Sequence, residues 1–67
     1  MTDRIAKNIY ELIYDRGMSL EEFAKQLAYS KEDVYRILTG ELMLPPVELE
    51  RIAKVLGVEK KDLCRKN

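Results

Sequence analysis

The stretch from Ser19 to Gly40, S-L-E-E-F-A-K-Q-L-A-Y-S-K-E-D-V-Y-R-I-L-T-G, constrains the fold more than any other part of the chain. Ser19 is an N-cap residue, and Glu22 follows at the spacing of a capping box. Phe23, Ala24 and Leu27 share one face of the helix that this start predicts. Ser30 restarts the chain with a second N-cap. Glu32 and Asp33 then fall in the positive first turn of the next helix. Val34, Ile37 and Leu38 form its apolar face, and Gly40 supplies the stop. The spacing thus predicts helices over about 20–27 and 31–38. They cross over the bend Ala28-Tyr29-Ser30, with the small Ala24 permitting close approach.

Two short helices crossing steeply over such a bend make a helix-turn-helix unit, here about residues 19–39. The segments that carry a family resemblance are M-S-L-E-E-F-A-K-Q-L, A-Y-S-K-E-D-V-Y-R-I and T-G, which make up this unit, and P-P-V-E-L-E-R-I-A-K-V-L-G-V beyond it. On these the chain resembles the Cro/repressor-type, or lambda-repressor-like (XRE), helix-turn-helix DNA-binding domains over about residues 3–63. The resemblance implies an all-α, compact five-helix domain. Fold alone leaves function open, because function rests on a few exposed side chains.

The remaining periodicity agrees with five helices. Thr2 or Asp3 is expected to cap a first helix over about 3–16, with Ile5, Ile9, Leu12 and Ile13 as its apolar stripe. Arg4, Lys7, Asn8, Glu11 and Asp15 are expected to face outward, and Tyr10 and Tyr14 to form a half-buried rim. Gly17 ends this helix with a positive φ, and Met18 turns into the core. Pro45-Pro46 opens a fourth helix, since proline is tolerated in a first turn. Leu49, Ile52, Ala53 and Leu56 give it a buried stripe before the Gly57 cap. A short fifth helix over about 59–64 packs Leu63 inward. Lys60, Lys61, Arg65 and Lys66 make a modest basic tail. No run alternates like a strand, and no repeat or linker divides the 67 residues, so residues 1–67 read as one domain.

Composition excludes several classes. The chain has no histidine, and its single cysteine, Cys64, lies near the end without an obvious base. No glycine-rich phosphate loop is present, so no enzymatic activity, cofactor or metal site is expected. The polar, amphipathic start M-T-D-R-I-A-K-N is neither a signal peptide nor a membrane span. A free thiol suits a reducing compartment. With the resemblance to bacterial and phage regulators, this points to the cytoplasm. Twelve Lys and Arg balance twelve Asp and Glu, giving a formal net charge of zero. Nucleic-acid binders normally carry a basic surplus, so binding here would need charge segregated by face.

The resemblance implies specific roles. The helix over 31–38 corresponds to the recognition helix, whose N-terminal residues enter the major groove. Lys31, Glu32 and Arg36 occupy the base-facing positions. Lys31 and Arg36 can donate to guanine, and Glu32 can accept from cytosine N4. Ser19, Lys25, Ser30, Tyr35 and Thr39 occupy positions that touch the DNA backbone or groove wall. The implied partner is double-stranded DNA bearing an inverted repeat, read by a homodimer as in relatives that repress promoters.

Several positions depart from the family. Leu20 stands where a DNA-anchoring glutamine is common, and Ala28 where glycine is usual in the turn. Ile13 and Leu38 together replace an internal Arg–Glu pair, a double change compatible with the fold. The loop Glu41-Leu42-Met43-Leu44 is apolar where relatives carry basic residues. Leu42, Met43 and Leu44 therefore form a candidate patch for a protein partner, and an interaction module with weak or no DNA binding is the alternative reading.

Overall fold

The computed structural model describes residues 4–65, so Thr2, Asp3 and Lys66 of the expected cap and tail lie outside the described residues. Five helices follow in order: α1 (Arg4–Asp15), α2 (Leu20–Leu27), α3 (Lys31–Thr39), α4 (Pro46–Leu56) and α5 (Lys60–Cys64). Among the described residues there is no strand. No described helix is long and apolar enough to cross a membrane.

One core joins all five helices. Ile9 and Ile13 of α1 meet Phe23 and Leu27 of α2, Val34 and Ile37 of α3, the α4 stripe of Leu49, Ile52, Ala53 and Leu56, and Leu63 of α5. α1 packs on α3 and α5, α2 packs on α3 and α4, and α4 packs on α5. This arrangement holds α2 and α3 together on one side of the molecule, with α4 behind the bend that joins them.

The helix ends follow the sequence closely. Ser19 Oγ accepts from the Glu22 amide at 3.0 Å, and Ser30 Oγ accepts from the Asp33 amide at 3.1 Å. The capping box at Ser19 is only half made, because the Glu22 carboxylate accepts from Gln26 Nε2 at 2.9 Å. Pro46 stands at the first position of α4. Beyond that helix, the Val58 amide reaches back to the Ala53 carbonyl at 2.9 Å. α2 ends on Ala28 at φ 59°, a left-handed conformation in a residue with a Cβ.

Three expectations need correction. Asn8 does not face outward but is 3% exposed. Its Nδ2 donates to the Leu63 carbonyl at 2.8 Å and to the Arg65 carbonyl at 2.9 Å. The end of α5 supplies carbonyls lacking helical partners, and these draw a polar side chain inward. Tyr10 and Tyr14 are exposed rather than a half-buried rim, at 53% and 77%. They flank the buried stripe of Ala6, Ile9 and Ile13 and remain in solvent. Leu38 is half-buried, not fully inside, and packs against the edge of the core.

Candidate nucleic-acid interface

The bend between α2 and α3 is fixed from behind by α4. Tyr29 leaves the left-handed Ala28 and donates its hydroxyl to Glu48 Oε1. Arg51, one helical turn beyond Glu48, donates from Nη1 to the same carboxylate oxygen at 2.9 Å. Its Nη2 donates to the Leu27 carbonyl, also at 2.9 Å, and its guanidinium lies 5.8 Å from the Tyr29 ring centroid. The Leu27 carbonyl belongs to the last turn of α2, where intrahelical donors run out, so Arg51 closes that end. Burial, and then the hydrogen bond to Glu48, push the Tyr29 hydroxyl up to about 12. It therefore stays a neutral donor across physiological pH. The sequence foretold none of this: Glu48 and Arg51 have the spacing of a helical pair, but nothing local to Tyr29 points to α4.

With the bend pinned, α3 presents Lys31, Glu32, Tyr35 and Arg36 to solvent. These four and Glu41 line one shallow depression, so the three expected base-reading side chains share a surface. Arg36 Nη1 lies 3.6 Å from Asp33 Oδ1, a pair about half exposed on both sides. Such a pair holds the guanidinium loosely, since exposed ion pairs contribute about 0–1 kcal/mol.

The five expected backbone-contacting residues also lie at the surface, at the helix ends and along the α2–α3 groove. The hydroxyls of Ser19 and Ser30 accept from cap amides. Each retains its own O–H proton for a phosphate oxygen. Thr39 Oγ1 lies 3.2 Å from the Arg36 carbonyl and 3.1 Å from Glu41 Oε2, so its proton is engaged within the protein. Lys25 of α2 and Lys31 of α3 border one groove, which also holds Tyr35. Along α2 and α3 the cations Lys25, Lys31 and Arg36 are interspersed with the acids Glu21, Glu22, Glu32 and Asp33, so charge of one sign is not segregated there.

The groove between α2 and α3 went unforeseen. It has a volume of about 460 Å³, with Leu20, Ala24, Val34 and Leu38 among the side chains that line it. The signal was Leu20 itself, an apolar residue at an N-terminal helix position that remains 46% exposed.

The loop after α3 divides the expected partner patch. Met43 is 91% exposed and Leu42 sits at the surface, whereas Leu44 is half-buried against the core. Val47 at the start of α4 is exposed as well.

Residues 14–64 match a family described as a helix-turn-helix domain. The fold is similar to the crystal structure of the restriction-modification controller protein C.AhdI from Aeromonas hydrophila. The TM-score is 0.82 at 22% sequence identity, over 90% of this chain and 91% of that one. No curated protein matches the chain.

Proposed function

The chain belongs to the helix-turn-helix domain family, and on that premise we propose that it is a sequence-specific, double-stranded DNA-binding transcriptional regulator acting as a repressor. In this reading α3 enters the major groove and the start of α2 rests on the phosphate backbone. Lys31 and Arg36 donate to guanine edges, and Glu32 accepts from cytosine. Ser19, Lys25, Ser30, Tyr35 and Thr39 hold the backbone or groove wall, with Thr39 exchanging its internal contact for phosphate. The observation that carries the reading is the single exposed surface on α3 shared by Lys31, Glu32 and Arg36.

One short helix makes few base contacts, so useful specificity calls for a symmetric dimer on an inverted repeat. Its half-sites would lie about one helical turn apart. The regulator works in the cytoplasm in this reading, where the free Cys64 thiol is at home.

Titration of a duplex with parental and Arg36→Ala protein tests the reading. The variant is expected to bind more weakly and to lose preference at one base pair. Unchanged affinity and preference would remove Arg36 from the readout.

A second reading draws on the exposure of Met43 beside Leu42. An apolar loop where basic residues would serve DNA suits a protein partner, and the fold would then act as an interaction or antitoxin-like module.

A further inference from the structure

The α2–α3 groove has the wrong chemistry for a surface that meets DNA only through charge. Leu20 and Tyr35 stand at its mouth, 46% and 68% exposed, and Ala24, Val34 and Leu38 lie among its walls. Lys25 borders it on α2 and Lys31 on α3, while Glu21 is the acid in its lining. The groove therefore combines an apolar interior with cations contributed by both helices. A DNA strand has the complementary pattern: phosphates flank the carbon edge of deoxyribose, and thymine projects an apolar C5-methyl into the major groove. No other unmodified base offers such a group.

We propose that this groove reads thymine: Leu20 and Tyr35 enclose the C5-methyl of one thymine per half-site, while Lys25 takes an adjoining phosphate and Lys31 stays on its guanine edge. The volume of about 460 Å³ exceeds a methyl group, so the neighbouring sugar edge shares the space. Leu20 thereby acts as a specificity-determining residue through apolar contact, at a position where its side chain offers no hydrogen bond. The inference rests on the DNA-binding reading above and adds to it a requirement for thymine.

The test replaces each thymine of a duplex selected by the parental protein with deoxyuridine, which removes only the methyl group. Binding is then compared for the parental, Leu20→Ala and Tyr35→Ala proteins, with helicity checked by circular dichroism. At one position per half-site uracil is expected to weaken parental binding by about fourfold, the worth of one buried methyl-sized group. Leu20→Ala is expected to bind the thymine and uracil duplexes equally. If the selected duplex binds but no thymine is sensitive, the thymine inference falls and the DNA reading stands. The thymine inference falls in the same way if the loss persists undiminished in both variants. If no duplex is selected, both fall together, and the groove is left to an apolar protein segment.

Discussion

Asn8 in α1 and Leu63 in α5 are joined across the length of the chain by a hydrogen bond of 2.8 Å from Asn8 Nδ2 to the Leu63 carbonyl. The same amide nitrogen reaches the Arg65 carbonyl at 2.9 Å, so one buried side chain closes the C-terminal end of α5. α5 is too short to be stable alone, and its attachment to α1 and α4 is what holds it. Replacing Asn8 with leucine leaves the buried Leu63 carbonyl without this donor. Asn8→Leu is expected to lower stability by about 1–3 kcal/mol in urea denaturation. An unchanged midpoint would show that water replaces the amide at no cost.

Ala28 offers the opposite opportunity. Its φ of 59° places a Cβ in the left-handed region, and its side chain is exposed, so little packing is lost by removing it. Ala28→Gly is expected to raise stability by about 1 kcal/mol, seen as a higher melting temperature. A fall would mean that the added freedom of glycine in the unfolded chain outweighs the relief of strain.

Tyr29 gives the protein an alkaline signature. Burial and Glu48 raise its hydroxyl from an ordinary value of 10.0 to about 12. Between those values the unfolded chain loses a proton that the folded chain retains. The contribution of Tyr29 is therefore complete below pH 10 and is lost as pH rises toward 12. The stability difference between parent and Tyr29→Phe, followed by chemical denaturation, is expected to shift in favour of the variant across that window. A difference independent of pH would contradict the raised hydroxyl, and with it the burial and the Glu48 contact that raise it.

Asp33 sets a balance between folding and binding. It supports the first turn of α3 electrostatically and pairs with Arg36, and in the proposed complex its charge would oppose phosphate. Asp33→Asn is expected to cost about 0.3–1 kcal/mol of stability through the helix dipole. It is also expected to tighten DNA binding, more at low salt than near physiological salt. Equal or weaker binding at low salt would show that Asp33 positions Arg36 productively.

The helices were legible because their signals are local. Ser19 and Ser30 cap where their spacing requires, Gly57 ends α4, and the α4 stripe is buried as its periodicity implies. Asn8 was misread because its partners lie at the far end of the sequence, and a polar residue beside an apolar stripe has the same pattern whether it faces water or a carbonyl. The Tyr29–Glu48–Arg51 cluster is equally non-local. Helical spacing alone could not distinguish the exposed Tyr10 and Tyr14 from a half-buried rim, because that depends on how far the neighbouring elements extend. The polar candidates follow from position in a known motif, and the fold places them at the surface. The apolar α2–α3 groove was not, because it exists only once Leu20 and Tyr35 are brought together from separate helices.

Selection of bound duplexes from a random DNA pool, at low salt and again near physiological salt, separates a sequence reader from a surface with only weak charge attraction. Sequence-specific recognition by a dimer predicts enrichment of an inverted repeat that survives at the higher salt, with half-sites about one helical turn apart. Recovery of nothing, or of unselected DNA at low salt only, would contradict it.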